Sequence, residues 1–427
     1  MMEVVPRRCL PCIAYKAAPF GAVFLWGSLS AFTRSIQKIH AALACTLAVM
    51  PLRFSVMHAA LQQIHQRVQD AIANKTALRI RGGGSKDFHA LQLQGEVLDT
   101  RGLTGVVSYE PSELVVTVRA GTPLAELEAA LAEQGQCLAF EPPHFADKGA
   151  QATVGGMVAA GWSGPARASV GAVRDFVLGI EVINGKAELL RFGGTVMKNV
   201  AGYDVSRLMA GSWGTLGLVT EVSLKVLPVV PGEATLRFAG ISQADALQRL
   251  NQWGGQPLPL NASCWVAENG LGSLYVRLRG AVAAVDAACK TMGGERMDND
   301  QATVDWAACR EQTLPWFAQR NDGLCLWRLS VAQTAPALVL PHGIQDPLVE
   351  WHGGLRWVQA PREMGGALKA LARQAGGDAS LFRAESADQI SAEAIFDAQL
   401  PAVQRIQQQL KQAFDPAGIW NPGRAMA

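Results

Sequence analysis

The chain has 427 residues, of which 49% are hydrophobic, and its formal net charge is +2. This length and hydrophobic content predict a folded protein of two or three domains and exclude a disordered chain. The near-neutral charge gives no support to nucleic-acid binding. Glycine is frequent, with 43 residues, and its clustering indicates places where the backbone approaches a ligand closely.

Residues 1–57 differ from the rest of the chain in charge. They contain six basic side chains and one acidic side chain, which gives +5 and leaves −3 for the remainder. Their uncharged runs, 17–32 and 40–52, are shorter than the roughly 20 residues that a membrane-spanning helix needs. We interpret this segment as an N-terminal extension: the true start lies near Met57, or the segment serves targeting or membrane contact, or it is ordinary structure.

The first domain, residues 58–228, is predicted to combine helices and short strands. Its opening helix, 58–73, places four apolar side chains on one face. Thr122 is a candidate N-cap for a second helix. Strands are expected at 77–81, 96–99, 105–109 and 114–120, and the second helix at 124–134.

The second half of this domain contains a predicted hairpin. Asn184-Gly185 separates the strands 176–183 and 187–192, and Asn-Gly is the strongest short signal for a hairpin turn. A further strand is expected at 218–227, and the Pro-Val-Val-Pro-Gly run at 228–232 is predicted to be a linker.

Beyond the linker the pattern changes. The order strand, helix, strand, strand, helix predicts a separate α+β domain with an antiparallel sheet at residues 233–400. Residues 401–427 are predicted to return to the first domain. Strands are expected at 234–238, 262–267, 274–279, 325–330 and 355–359, and helices at 242–253, 282–292, 365–375 and 398–413.

Three glycine-rich segments are candidates for ligand binding. In the first, Arg81-Gly82-Gly83-Gly84-Ser85-Lys86, consecutive backbone N–H groups after a strand can converge on a phosphate. It fits neither the P-loop nor the dinucleotide-binding spacing, and a flexible turn is the alternative. The second, 153–164, is rich in small residues, which indicates backbone contact with a flat ligand or a close helix contact. The third, 203–221, leads a glycine turn into a buried strand.

In this order, the three segments resemble the FAD-binding domain of the vanillyl-alcohol oxidase/p-cresol methylhydroxylase superfamily. The resemblance runs from about residue 58 to 228 and resumes at 414–424. A closer similarity, to the FAD-binding E subunits of bacterial glycolate oxidases, is carried by the runs Lys198–Asp204 and Glu141–His144. The implied fold is α+β: a flavin domain of two α+β subdomains, followed by an antiparallel-sheet α+β cap domain.

The resemblance implies a bound FAD and assigns its contacts. The first glycine loop is expected to bind the pyrophosphate through backbone N–H groups, the second segment to line the isoalloxazine and ribityl groups, and Val219 to contact the adenine. No histidine lies within 82–86, near which covalent relatives attach their flavin, so the FAD is expected to be non-covalent. The implied cofactor-binding residues are Gly82, Gly83, Gly84, Ser85, Lys86, Pro142, Thr153, Gly155, Gly156, Gly161, Val170, Gly171, Asp175, Val219 and Asn421.

The catalytic residues stay unassigned at this stage. Oxidation of a 2-hydroxy acid needs a base for the hydroxyl proton and a cation for the carboxylate, and the histidine-rich motif of related catalytic subunits is absent. His342 and His352 are expected to be ordinary histidines, and lone cations such as Arg356 and Arg383 to be solvated. Six of the eight cysteines are widely separated, which predicts scattered buried thiols and no metal site.

Three functions stay open. The first is an FAD subunit of a glycolate oxidase or dehydrogenase complex, which converts glycolate to glyoxylate and relays electrons or supports a catalytic FAD subunit and an iron–sulfur subunit. The second is a stand-alone FAD-dependent 2-hydroxy-acid (D-lactate-like) dehydrogenase. The third is a scaffold that holds FAD without redox chemistry. The first is favoured because the histidine motif and cysteine clusters are missing, and it implies a cytoplasmic protein that can associate peripherally with the inner face of the membrane through its complex.

Overall fold

The computed structural model describes residues 59–89, 94–146, 149–195, 204–268, 271–385 and 400–424, all within one compact unit, Pro51–Ala427. The predicted extension at 1–57 and the motif residues 198–203 lie outside the described residues. No described helix is long and apolar enough to cross a membrane.

The first half of the described chain begins with a helix that covers a small parallel sheet. In α1 (Ala59–Asn74) the predicted apolar face buries Ile64 and Val68. Strands β1 (Leu78–Arg81) and β2 (Glu96–Asp99) pair in parallel. The helix and the two strands share one hydrophobic cluster, which extends to Ile419 and Trp420 near the end of the described chain.

A five-stranded antiparallel sheet carries the rest of this half. Its strands are β3 (Val106–Glu110), β4 (Val115–Arg119), β6 (Val177–Ile183), β7 (Leu189–Gly193) and β8 (Leu218–Lys225). They are arranged in the order β3-β4-β8-β6-β7, and β5 (Gln136–Cys137) pairs separately with β9 (Leu227–Pro228). The helices of this half are α2 (Leu124–Ala132), α3 (Val154–Ala160), α4 (Arg167–Val170), α5 (Val173–Phe176) and α6 (Val205–Met209).

The second half is built on an eight-stranded antiparallel sheet, here called the cap sheet. Its strands are β10 (Gly232–Ile241), β11 (Leu260–Glu268), β12 (Leu271–Gly280), β13 (Glu295–Arg296), β14 (Cys325–Ser330), β15 (Leu348–Glu350), β16 (Leu355–Ala360) and β17 (Asp378–Arg383). Their order is β13-β10-β12-β11-β15-β16-β14-β17. The helices of this half are α7 (Gln243–Gly254), α8 (Val282–Met292), α9 (Asn299–Glu311), α10 (Pro315–Ala318) and α11 (Gly365–Gln374).

The last described segment contacts the first half of the chain. After α12 (Pro401–Phe414), Trp420 forms a parallel bridge with Leu78 and is completely buried. The side chain of Asn421 accepts a hydrogen bond from the backbone N–H of Ile80 at 2.7 Å. Asp415 fixes this return because its buried carboxylate accepts hydrogen bonds from Lys411 and from the backbone N–H groups of residues 419 and 420.

A charged cluster joins the two halves. Glu141 follows the first half's α2 and β5, and its carboxylate accepts hydrogen bonds from Arg277 at 2.6 Å and from Arg279 at 2.8 Å, both on β12. Burial by itself would raise the pKa of Glu141, but the two arginines lower it below its ordinary value. The Arg277 side chain is 2% exposed, so this cluster fixes the loop after β5 against the cap sheet.

The structure confirms the α+β class and most predicted elements, and it also contains short elements that were not predicted, namely α3 to α6, α10, β5, β9 and β13. Thr122 does not cap α2; its hydroxyl accepts a hydrogen bond from the backbone N–H of Gly105 instead. Helix α9 was not predicted because its buried stripe is sparse: only Ala302, Trp306 and Cys309 are buried in 13 residues. Strands β15 and β17 were also missed; β15 has only three residues, but β17 has six, as many as the predicted strands β14 and β16.

Candidate functional site

The first glycine loop lines a cavity of about 90 Å³ between β1 and α3, here called the glycine-loop cavity. It brings together ten of the fifteen predicted cofactor-binding residues, although these span most of the described chain. They are Gly82, Gly83, Gly84, Ser85, Lys86, Thr153, Gly155, Gly156, Val219 and Asn421.

Close backbone packing explains why this wall needs glycine. A Cβ atom on Gly83 would lie 1.6 Å from the carbonyl oxygen of Gln151, far inside van der Waals contact. A Cβ atom on Gly155 would lie 2.7 Å from the Cβ of Ala120. Thr153 begins α3, and its hydroxyl accepts the N–H of Gly156 at 3.2 Å. The close-contact explanation for the second segment therefore applies, and contact of the same glycines with a ligand in the cavity stays a prediction.

The glycine-loop cavity has a surplus of positive charge. Its charged lining residues are Arg81, Lys86, Asp87 and Arg424, which leave two positive charges unbalanced. Arg81 is paired with Asp87 at 2.8 Å. Lys86 donates to the carbonyl oxygen of Pro143 at 3.1 Å, and burial lowers its pKa to about 8. An anion in the cavity would stabilise these charges, which fits the pyrophosphate of a dinucleotide.

A second cavity, of about 360 Å³, lies between the glycine-rich segments and the cap sheet and is called the inter-sheet cavity. Trp213 lines both cavities. One wall is aromatic: His89 stacks on Trp213 with ring centroids 5.0 Å apart and meets Trp162 edge-on at 4.9 Å. The Nδ1–H of His89 donates to the carbonyl oxygen of Phe382 at 3.0 Å, and burial lowers the pKa of His89 to about 4. His89 is therefore a neutral imidazole at pH 7.

The opposite wall of the inter-sheet cavity carries a buried acid. Glu350, at the end of β15, is 4% exposed. Its carboxyl oxygens accept hydrogen bonds from the thiol of Cys309 at 3.1 Å and from the indole N–H of Trp357. Burial raises the pKa of Glu350 above its ordinary value. The arginines that line the same cavity are Arg167, Arg174, Arg310 and Arg328.

The remaining predicted site residues lie elsewhere. Gly161 lines the inter-sheet cavity. Pro142, Val170, Gly171 and Asp175 line neither cavity. The carboxylate of Asp175 instead accepts the backbone N–H of Ala172 at 2.9 Å, so in this structure it caps α5.

Several side chains differ from their expected surroundings. Arg356 was expected to be solvated, but it is completely buried on β16, where Trp357 and Leu355 flank it in sequence. His352 is hydrogen-bonded to Ser263 and Ser169, as expected of an ordinary histidine. Cys264, Cys309 and Cys325 are buried free thiols, as predicted. In the part of the chain that the structure describes, no group of three histidine, cysteine or acidic residues could hold a metal ion.

The sequence did not identify His89, Arg328 or Glu350 as site residues. Each stands alone in the sequence, without a partner at a recognisable spacing, and they meet only because β14 and β15 of the cap sheet face the glycine-rich segments. The local sequence signal is weak: Trp327 precedes Arg328, and Trp351 and Trp357 follow Glu350.

Comparisons with known proteins agree with the geometry. Residues 55–193 match the family described as FAD binding domain. The chain is 43% identical to the glycolate oxidase subunit GlcE of Escherichia coli (strain K12) over 366 residues, which is 86% of this chain and 97% of that protein. The glycolate oxidase subunit GlcD of Bacillus subtilis (strain 168) is 33% identical over 33% of this chain and 29% of that protein. The D-lactate dehydrogenase of Anaerostipes hadrus is 34% identical over 31% of this chain and 27% of that protein.

A solved structure of alkyldihydroxyacetonephosphate synthase has the same fold, with a TM-score of 0.58 at 17% identity over 85% of this chain and 74% of that chain. FAD is the cofactor of the matched domain, and the positively charged, glycine-lined cavity fits its pyrophosphate. Because one relative is 43% identical over nearly its whole length, the chain belongs to the family of the glycolate oxidase subunit GlcE, and it is an FAD-dependent oxidoreductase.

Proposed function

We propose that the chain is the FAD-carrying subunit of a complex that oxidises glycolate to glyoxylate. In this proposal a catalytic flavoprotein partner and an iron–sulfur partner complete the complex, and this subunit relays electrons or supports the catalytic partner. The supporting observation is the glycine-loop cavity, which combines glycines, a net surplus of two positive charges and ten predicted cofactor residues. The named relative, a glycolate oxidase subunit, supports the substrate and the assembly.

FAD supplies a reversible acceptor for a hydride or for single electrons when it is bound. The chain's own residues bind and orient it. Lys86 and Arg424 offset the charge of the pyrophosphate, Gly83 allows the loop to approach it, and Asn421 fixes β1 from the C-terminal return. Trp213 lines both the glycine-loop cavity and the inter-sheet cavity. We expect the FAD to be non-covalent because no histidine lies within 82–86.

The test is the change Gly83→Ala in the assembled complex. The new Cβ atom would displace the loop because it would lie 1.6 Å from the Gln151 carbonyl oxygen. We expect loss of FAD and of glycolate turnover while the three subunits still copurify. Gly366→Ala is the matched control, since nothing lies within 4 Å of the Cβ position at that exposed helical glycine. Full turnover by a Gly83→Ala complex without FAD in this subunit would contradict the relay role.

A stand-alone 2-hydroxy-acid dehydrogenase is the second candidate. It is favoured by the inter-sheet cavity, which holds a buried acid, Glu350, and unpaired arginines beside the predicted flavin-binding segment. Rapid reduction of the flavin by glycolate in the purified, FAD-loaded chain would favour this candidate. Negligible flavin reduction without the partners would favour the complex.

A further inference from the structure

Six aromatic side chains pack in a continuous row that leads from the glycine-rich segments along the cap sheet, here called the aromatic column. In order along the row they are Trp213, Trp162, Phe382, Trp357, Phe317 and Trp316. The centroids of successive rings lie 5.1, 4.7, 4.8, 5.9 and 5.1 Å apart. All of these separations fall within the range of direct aromatic contact, so the rings touch from one end of the column to the other.

The inner end of the column lies beside the cofactor-binding region. Trp213 lines both cavities, and Trp162 belongs to the second glycine-rich segment, which is predicted to line the isoalloxazine ring. The outer end, Trp316 on α10, is only partly buried, and its indole N–H donates to the carbonyl oxygen of Asp346 at 3.4 Å. The column therefore connects the predicted flavin position with the protein surface.

The middle of the column is shielded from water. Its buried rings are Phe382, Trp357 and Phe317. Beyond the inner pair of tryptophans, a single phenylalanine ring separates each tryptophan from the next. The indole N–H of Trp357 donates to the carboxyl group of Glu350. This hydrogen bond holds the central indole in place and gives it a polar partner that favours positive charge on the ring.

The composition of the column decides which of its rings can carry an electron. Indole gives up an electron readily, whereas the benzene ring of phenylalanine does not and serves only as a bridge. A flavin excited by blue light is an oxidant strong enough to take an electron from an indole in contact with it, and a flavin in the dark is not. Tryptophans separated by single rings therefore form steps for an electron that moves from the surface inwards.

We propose that the aromatic column delivers electrons one at a time from Trp316 to light-excited FAD, so that the protein reduces its own cofactor in the light with electrons from an external thiol. The inner pair, Trp162 and Trp213, loses one electron to the flavin. Trp357 fills that vacancy, and Trp316 then fills the vacancy at Trp357. The oxidised Trp316 releases its Nε1 proton to solvent.

The external thiol restores the column after each electron has passed. It returns one electron and one proton to Trp316 and is itself oxidised to a sulfur radical. Two rounds use two thiol groups, which combine as one disulfide, while the FAD gains two electrons and takes two protons from solvent. The proposal depends on bound FAD and on the ring contacts, and it needs neither glycolate nor a partner subunit.

The test is illumination of the full-length, FAD-loaded chain with blue light, without oxygen, glycolate or partner subunits. Dithiothreitol is the thiol, and loss of the flavin's blue absorption band measures reduction. We expect the wild type to bleach much faster in the light than in the dark. Trp357→Phe and Trp316→Phe should lose most of the light-driven bleaching, because each change removes one oxidisable ring and keeps an aromatic ring in its place. The dark spectrum of each variant checks that it still holds FAD.

Flavin fluorescence separates the inner end of the column from the outer end. Replacing the inner pair, Trp162→Phe with Trp213→Phe, should lengthen the fluorescence lifetime of the bound flavin, since an indole in contact with it quenches the excited state. Trp357→Phe and Trp316→Phe should keep the short lifetime of the wild type and lose only the net reduction, because the electron then returns to the inner pair. A general disturbance of the fold would not divide the two measurements in this way.

Trp265→Phe is the matched control. Trp265 is also a buried tryptophan of the cap sheet, and its indole N–H donates to the carbonyl oxygen of Ile241 at 3.1 Å, but it lies outside the aromatic column. This variant should bleach like the wild type. Equal light and dark rates in the FAD-loaded wild type would overturn the proposal. Bleaching of Trp357→Phe and Trp316→Phe at the wild-type rate would also overturn it, since the thiol would then reduce the flavin directly. Failure of the proposed glycolate complex would leave these outcomes unchanged.

Discussion

The two cavities differ in how the chain assembles them. The glycine-loop cavity is formed by contiguous motifs whose backbone forms the wall, so its residues are recognisable in the sequence. The inter-sheet cavity is formed by isolated side chains from both halves of the molecule, including His89, Arg167, Arg328 and Glu350. Binding through the backbone needs a particular local sequence, whereas binding through side chains needs only that the fold bring them together.

The largest expected loss of stability follows from removing the ion pair that joins the two halves of the molecule. Glu141→Ala removes the carboxylate paired with Arg277, which is almost completely buried, whereas Arg279 keeps its ion pair with Glu233. Removing one partner of a buried ion pair costs about 3–5 kcal/mol of stability. Chemical denaturation measures this loss. The control Glu295→Ala removes the exposed partner of Arg237 and should cost less than about 0.5 kcal/mol; equal losses in the two variants would show that the Glu141 cluster is not a structural contact.

The next largest expected effect is on FAD affinity and concerns the glycine-loop cavity. Lys86→Met removes a buried positive charge from the glycine-loop cavity and keeps most of the side-chain volume. We expect FAD to bind about 10- to 100-fold more weakly. FAD affinity is measured by fluorescence titration, and an unchanged affinity would exclude Lys86 from the phosphate site.

A smaller expected effect is a dependence of stability on pH, caused by His89 in the lining of the inter-sheet cavity. The pKa of His89 is lowered from 6.5 to about 4 by burial, so the unfolded chain binds this proton more readily than the folded one. The contribution of neutral His89 to the free energy of unfolding is therefore fully present above pH 6.5 and is lost as the pH falls towards 4. After allowance for partial exposure, this loss is about 1–2 kcal/mol.

Denaturation midpoints across this pH range measure the loss. His89→Asn keeps a donor for the Phe382 carbonyl and should flatten the curve between pH 6.5 and 4. His342→Asn changes an exposed histidine outside both cavities and serves as the control. A His89→Asn curve as steep as that of the wild type would show that other groups carry the acid sensitivity.

The smallest expected effect is a gain in stability on replacing Gly366, in the second half, which contrasts with the tightly packed Gly83 in the first half. Gly366 is an exposed position in α11 with nothing within 4 Å of its Cβ position. Gly366→Ala should stabilise the protein by about 0.5 kcal/mol, because alanine loses less backbone entropy in a helix. Thermal unfolding measures the gain. A loss of stability would mean that this glycine, like Gly83, is needed for packing.

The contrast between local motifs and side chains brought together by the fold also explains what the sequence could predict. Periodicity and turn residues located α1, the hairpin around Asn184 and most cap-sheet strands, because those signals are local. Gly185 also shows that a correct prediction can have a further cause: a Cβ atom there would lie 2.6 Å from the Cα of Asp415, so tertiary packing requires glycine at this turn.

The residues that were missed depend on tertiary contacts. Thr122 has the right type and position for an N-cap, but its hydroxyl is used by Gly105. Arg356 resembles a surface cation in the sequence, yet it is buried inside the cap sheet. Glu350 and Arg328 become a candidate site only when β14 and β15 are placed against the loop that contains Trp162. No single-sequence pattern contains this information.

The C-terminal return also has a consequence for how the protein is made. The hydrogen bond between Ile80 and Asn421 joins residues 341 positions apart, and Asn421 lines the glycine-loop cavity. During synthesis, β1 leaves the ribosome long before the segment that completes its edge. A nascent chain therefore cannot complete the lining of the glycine-loop cavity until almost all of the described residues have been translated.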